Sequence, residues 1–541
     1  MGTYLNPGKT AYQMAVNSEI FVDKTRMIQC LNSIINTQQR FVSVSRPRRF
    51  GKTMAADMIC AYYDREADSR KLFEERKIKD IPHWDQYLMK FDVIRLVMTR
   101  FFKKKVSVED ALMNMQRLVI RDIKKANHYF NDADLIQTID DVYADRQLIV
   151  VIDEWDAVFR VKQNDVEGQT EYLDFLRDLL KDNEHIALAY MTGILPIKKY
   201  GEHSALNMFT EYSMMAPRQL ASYTGFTEEE VKEHCVKYNM SYDEVSNWYD
   251  GYLISDRIPT KEREAYRHGR YNGHRLHIYN PLSVVEAMTT GVVANYWTKT
   301  ETYEALSEYI NKNYDGLKDT VALLMNGGKI KVNTSSYQND MTTFNSRDDI
   351  LTLLIHLGYL GYDNETEEVF IPNKEILDEF KTSTSSSEWA DAFKLVEDSQ
   401  EILKAVWALD EDKVANLLEK AHDKAENKKY NDEVTLSYAI QLAFYAAKIY
   451  YTTIPELDSG KGYADIVYIP APKYSHLPVL LVELKFDKTV NTALEQIKKQ
   501  NYPDRLEQYK GNILLVCIEY DKDVPNTSPK FKHHTCKIEK A

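Results

Sequence analysis

In the N-terminal part of the chain, short continuous apolar runs alternate with stretches of helical composition. Phe41-Val42-Ser43-Val44 reads as a short buried strand, and the segment from Thr53 to about Tyr63 reads as a helix. Gln147–Ile152 and Ile186–Met191 are further apolar runs, too short for helices, and predict two more buried strands. Strands alternating with helical segments imply an α/β fold: a parallel sheet with helices on both faces.

From about residue 225 the pattern becomes mostly helical. Thr227 reads as the N-cap of Glu228-Glu229-Glu230-Val231. Helical segments are expected through Trp248-Tyr249-Asp250-Gly251-Tyr252 and again from Pro281, with the polar, basic stretch Ser255 to His277 as an exposed loop. Residues 349–372 read as a helix followed by a hairpin, which suits a winged-helix-like accessory domain. Lys381-Thr382-Ser383-Thr384-Ser385-Ser386-Ser387 reads as a linker. Beyond it, helices are expected to about Tyr451 and strands at 463–469, 478–486 and 512–519. The expected division is therefore 1–225, 226–380 and 381–541.

The chain has 541 residues, ample for several cores. Its net charge of −13 argues against a bulk electrostatic grip on nucleic acid, although a local basic groove would suffice. The five cysteines lack CxxC spacing, which favours a reduced compartment over a disulfide framework or zinc site. The N-terminus shows no apolar leader, and no apolar run approaches the roughly 18 residues of a membrane span. A cytoplasmic protein is expected.

Two stretches carry phosphate chemistry. The first is Ser45-Arg46-Pro47-Arg48-Arg49-Phe50-Gly51-Lys52-Thr53, placed between a strand and a helix. In a P-loop, consecutive backbone N–H groups and a helix N-terminus face the phosphates. Arg49, Phe50 and Gly51 would form that cradle, Lys52 would reach the β/γ-phosphates of ATP, and Thr53 would ligate Mg²⁺. Arg46 stands where the GxxxxGK[ST] pattern has its first glycine. Asp153, closing the second apolar run, would hold Mg²⁺, and Glu154 would polarise the attacking water. Thr192, at the end of the third run, would sense the γ-phosphate. The bland alternatives are a ligand-free basic turn for the loop, a helix-start acid for Glu154 and a capping hydroxyl for Thr192.

The second stretch is Gly462-Tyr463-Ala464-Asp465 with Val482-Glu483-Leu484-Lys485. Strand periodicity places Glu483 and Lys485 on one face and Val482, Leu484 and Phe486 on the other. If the two strands form a hairpin, Asp465 falls beside Glu483. Two carboxylates form a hard-oxygen set for Mg²⁺ or Mn²⁺, and Lys485 would orient a water. Glu433, in the first turn of an expected helix Asp432–Tyr451, would complete the metal shell or else serve as a helix-dipole acid. Gln496 and Tyr502 would contact substrate phosphate. The alternative for Glu483 and Lys485 is a plain ion pair.

With these motifs the chain resembles a bacterial family that fuses an AAA-ATPase-like domain to a C-terminal PD-(D/E)XK nuclease-like domain. The resemblance rests on Tyr4-Leu5-Asn6-Pro7, Phe21-Val22-Asp23-Lys24, Ser45 through Thr53, Ile152-Asp153-Glu154, Met191-Thr192-Gly193-Ile194, Trp248-Tyr249-Asp250-Gly251-Tyr252, Tyr279-Asn280-Pro281, Gly460 through Asp465, Val482 through Lys485 and Gln496. It covers nearly the whole chain, and Arg46 at the first glycine position is typical of it. It implies an AAA-like core, a helical or winged-helix middle and a restriction-endonuclease-like C-terminal fold; roles in defence against foreign DNA or in mobile elements are compatible with it but not implied by it. An arginine finger is not identified: Arg218 and the basic 257–275 segment are the candidates, which leaves homo-oligomer formation open.

The leading expectation is an ATP-dependent, divalent-metal-dependent DNA nuclease whose cutting is gated by nucleotide state. The alternative is a nucleotide-regulated nucleic-acid- or partner-binding protein whose nuclease-like domain does not cut. A protein-remodelling ATPase is a third class, and no residue points to a protein substrate.

Overall fold

The computed structural model describes residues 2–197, 206–255, 275–297, 303–312, 314–424, 444–458, 463–471, 474–486, 506, 509, 511–521 and 533–540. The chain forms two compact units: Met1–Tyr309 with Lys331–Phe380, and Ile310–Ile330 with Lys381–Ala541.

The first unit is built on a five-stranded, wholly parallel sheet: β1 (Phe41–Ser45), β2 (Asp92–Val97), β3 (Leu148–Asp153), β4 (Ile186–Gly193) and β5 (Thr210–Tyr212), in the order β2-β3-β4-β1-β5. Every residue of β1, β3 and β4 is buried, which is why their sequences are unbroken apolar runs. Helix Lys52–Tyr63 covers one face of the sheet through Ala56, Ile59, Cys60 and Tyr63. β4 lies between β1 and β3. The carboxyl ends of three strands therefore meet at one edge, where open parallel sheets bind ligands.

The helical middle follows. Thr227 caps helix Glu228–Lys237 in a reciprocal capping box with Glu230. Helix Tyr242–Tyr249 ends sooner than its sequence suggests: Tyr252 opens a strand, Tyr252–Ser255, paired with Arg275–Tyr279. Gly251 makes this break at φ 131°, where an added Cβ would stand 1.8 Å from the Pro372 carbonyl oxygen. Helix Pro281–Thr290 begins at an Asn280 cap. Arg347–Leu357 is a helix, and the hairpin Gly361–Asp363/Glu368–Phe370 follows it. Most of the expected Ser255–His277 loop (256–274) lies outside the described residues.

One expectation is corrected. Lys381 to Ser387 is not a free linker: helix Lys374–Ser383 runs into it, and Ser383 and Thr384 are buried. As expected, helix runs to about Tyr451: Ala447–Tyr450 is helical, and Tyr451 then opens a strand.

The second unit contains helices Ala390–Trp407 and Glu411–Lys424 and a five-stranded mixed sheet. Its strands are β6 (Tyr451–Asp458), β7 (Tyr463–Pro470), β8 (Val479–Phe486), β9 (Ile513–Tyr520) and β10 (His534–Lys540), ordered as numbered. All neighbours are antiparallel except β8 and β9. All five cysteines are free thiols. Among the described residues, no helix is long and apolar enough to cross a membrane.

Candidate nucleotide and nuclease sites

The loop after β1 enters helix Lys52–Tyr63 through Gly51 at φ 82°, with Arg49 also left-handed at φ 66°. Phe50 is buried: its ring meets the Tyr252 ring edge-on at 5.4 Å, and its carbonyl accepts the Gly225 N–H at 3.0 Å. It anchors the loop to the middle segment. Arg46 explains itself in the same way. Its fully buried side chain turns to the sheet, where Nη1 donates to the carbonyls of Tyr212 (2.8 Å) and Ser45 (2.9 Å). The position thus ties β1 to β5 and leaves its own carbonyl for the loop. Lys52 Nζ donates to the carbonyls of Arg46 (2.8 Å) and Pro47 (2.6 Å). Burial lowers its pKa to about 8 against the opposing pull of Asp156, Asp153 and Glu154.

The end of β3 supplies the acids. Asp153 is 1% exposed and accepts Thr192 Oγ1–H at 2.5 Å and Arg95 Nη2–H at 3.2 Å. Thr192 also accepts the Glu154 N–H at 3.4 Å, so its hydroxyl joins β3 to β4. Glu154 adopts φ 54°, and Arg160 Nη2 donates to its Oε2 at 3.0 Å. Asp156, fully buried, accepts the N–H groups of Ile194 and Leu195, both at 3.0 Å. Gly193 is required beside it: an added Cβ would lie 2.5 Å from Trp155 Nε1.

Arg49, Phe50, Gly51, Lys52, Thr53 and Glu154 line one cavity of about 820 Å³. Its apolar wall includes Ile20, Val22, Phe226, Leu282 and Val285. A phosphate-facing floor with an apolar wall suits a nucleoside triphosphate. Exposed Thr53 and the Asp153 carboxylate are hard-oxygen donors, which fit Mg²⁺.

Sequence reasoning missed Arg95, Asp57, Asp156 and Arg160. Arg95 on β2 pairs with Asp57 of helix Lys52–Tyr63 at 3.0 Å as well as with Asp153. Its signal is a lone charge within Val93-Ile94-Arg95-Leu96-Val97. Of the arginine-finger candidates, Arg218 lies over the Tyr212 ring at 5.9 Å and does not line the cavity. Arg275 pairs with Asp363 and Glu365, and the rest of 257–275 lies outside the described residues.

In the second sheet, β7 and β8 pair with Ile466 opposite Val482 and Val467 opposite Leu481. Asp465 and Glu483 are the next residues along these two strands. β8 and β9 pair with Glu483 beside Cys517 and Lys485 beside Glu519. Glu483 continues the row Val479–Leu481, whose face packs with Val467, Leu515, Cys517 and Leu506. It is 2% exposed, a carboxylate ending an apolar row. Such burial is costly for the charged form unless a cation or hydrogen bonds compensate it, which fits a hard divalent cation. The side chains of Asp465 and Lys485 lie outside the described residues, as do Glu433, Gln496 and Tyr502 entirely.

Residues 10–201 match a family model described as a predicted AAA-ATPase, and residues 436–527 match the PD-(D/E)XK nuclease superfamily. A search of curated proteins returns no match. Similar solved structures include the Walker-type ATPase PABY2304 of Pyrococcus abyssi, at 11% identity over 66% of this chain and 94% of that one, TM-score 0.34. The ORC2 protein of Aeropyrum pernix in ADPNP–ADP complexes matches at 12% identity over 68% and 98%, TM-score 0.25. A DNA replication initiation factor matches at 10% identity over 79% and 96%, TM-score 0.24. The family matches identify the chain as one that joins an N-terminal AAA-ATPase-like domain to a C-terminal domain of the PD-(D/E)XK nuclease superfamily.

Proposed function

We propose that the protein binds and hydrolyses ATP and that its nucleotide state gates a divalent-metal-dependent nuclease acting on DNA. The observation that carries this reading is the assembly of Lys52, Thr53 and Glu154 on one cavity, with Asp153 held beside it. Lys52, now bonded to loop carbonyls, would exchange them for β/γ-phosphate oxygens. Glu154 orients the attacking water and takes its proton as the water oxygen bonds to the γ-phosphorus and ADP departs. Thr53 and Asp153 would hold Mg²⁺, and Asp465 and Glu483 would hold Mg²⁺ or Mn²⁺. The ion, when bound, neutralises charge developing on phosphate oxygens and acidifies its water.

In the nuclease domain Lys485 would orient the water, with Glu433 completing the acidic shell and Gln496 and Tyr502 on the substrate phosphate. The division 1–225, 226–380 and 381–541, a cytoplasmic location and a homo-oligomer remain parts of this proposal. The test is cleavage of supercoiled plasmid and single-stranded DNA with Mg²⁺ or Mn²⁺. Nicking by wild type that disappears in Asp465→Ala supports the reading. Inert wild type, with salt-sensitive DNA binding unchanged in Glu483→Gln, supports a binding protein instead.

A further inference from the structure

Arg160 lies on the short helix Ala157–Val161 that follows the acidic end of β3. Its side chain is 13% exposed and lines the same cavity as Lys52, Thr53 and Glu154. Nη2 donates to Glu154 Oε2 at 3.0 Å and approaches Asp156 Oδ1 at 3.5 Å. Nε is buried and makes no hydrogen bond. A guanidinium offers five N–H donors in a planar fork that matches phosphate oxygens, so this side chain holds binding capacity in reserve on the wall where phosphate would arrive. Asp156 is fixed by the N–H groups of Ile194 and Leu195, which makes it a standing counter-ion. Glu154 is different. It is 37% exposed, sits on a left-handed backbone and has Arg160 as its ion-pair partner. A carboxylate held by a guanidinium has an oxygen engaged that would otherwise orient water.

We propose that Arg160 is a sensor of the γ-phosphate supplied by the same chain: it latches Glu154 while that phosphate is absent and moves to the phosphate when ATP binds, freeing Glu154 to orient water. The proposal rests on the ATP-site reading above. A γ-phosphate outcompetes one carboxylate because it brings more charge and three acceptor oxygens. ADP places no phosphoryl group at the γ position, so with ADP bound the latch stays closed. Arg160 then fills the role for which sequence alone offered only Arg218 and residues 257–275.

The test uses the full chain and measures affinity for a non-hydrolysable ATP analogue and for ADP, together with ATP turnover, in wild type, Arg160→Ala, Arg160→Lys and Glu154→Gln. Arg160→Ala should weaken the ATP analogue about tenfold or more, leave ADP within about twofold, and lower turnover about 100-fold or more. Arg160→Lys, which keeps the charge and guards against misfolding at Asp156, should fall between. Glu154→Gln, with the latch weakened, should bind the ATP analogue more tightly than wild type while losing turnover. Equal losses for both nucleotides in Arg160→Ala and Arg160→Lys would assign Arg160 a structural role and overturn the proposal. So would an unchanged ATP/ADP ratio. Wild type that binds neither nucleotide, with Lys52→Ala indistinguishable from it, removes the ATP-site reading and the latch together.

Discussion

The two candidate sites hold carboxylates in apolar sheets by opposite constructions. In the first unit the acids cluster at the end of β3, joined by Asp57 from helix Lys52–Tyr63, and protein cations meet them: Arg95 bridges Asp57 and Asp153, and Arg160 bridges Glu154 and Asp156. In the second unit the acids occupy neighbouring strands of one hairpin, where Glu483 ends a row of Val479 and Leu481. The first site is therefore electrostatically self-satisfied at rest, and a ligand must exchange partners with it. The second sets Asp465 and Glu483 on paired strands, with Glu483 buried at the end of an apolar row, an arrangement that suits a cation.

That contrast can be broken from either side. The largest effect is expected in the hairpin. Asp465→Ala and Glu483→Gln should each lower plasmid nicking about 1000-fold while ATP turnover stays within about twofold. Parallel loss of turnover would contradict two separable sites. Next, Lys52→Ala should lower ATP turnover about 100-fold or more and leave the melting temperature of the fold little changed, because its amine bonds only loop carbonyls.

Arg95→Met should destabilise the first unit by about 3 kcal/mol in urea denaturation, because Asp153 and Asp57 lose their shared cation inside the fold. A neutral outcome would mean that the acids do not need that partner.

The smallest effect is one of sign with pH. Burial raises the Glu375 carboxyl to about 7, despite hydrogen bonds from Ser283, Tyr296 and Trp297. The folded chain keeps a proton that the unfolded chain releases, so the stability of wild type relative to Glu375→Gln should fall as pH rises from about 4.5 to about 7. Glu419 in the second unit behaves oppositely. Burial pushes it up, but the His534 ring and backbone N–H, at 2.8 and 3.0 Å, win and hold its pKa low. The advantage of wild type over Glu419→Gln should be full above about pH 4.5 and vanish as pH falls through the lowered pKa. Denaturation midpoints across pH 3–8 would read both curves.

Strands β1, β3 and β4 were legible because burial on both faces leaves an unbroken apolar run. β2 was missed because Asp92 and Arg95 interrupt it, and both are buried through tertiary partners. Strands β6 and β10 are the sheet edges, and their polar residues mask the alternation. The Ser/Thr run after Phe380 looked like a linker, yet the helix persists to Ser383 and Thr384 Oγ1 bonds the Lys381 carbonyl. The phosphate loop was legible because its chemistry is contiguous. Arg160 and Arg95 were not, because a guanidinium gains meaning from what the fold sets opposite it. The Arg46 departure from the glycine pattern makes sense only once its side chain is seen bonded to Tyr212 on β5.

The central claim is coupling between the two sites, and the most direct measurement is the plasmid nicking rate with and without ATP in wild type and Lys52→Ala. The account predicts that ATP changes the rate in wild type and has no effect in Lys52→Ala, with all nicking lost in Asp465→Ala. Nicking that is identical with and without ATP in wild type, while ATP is bound and turned over, would contradict it.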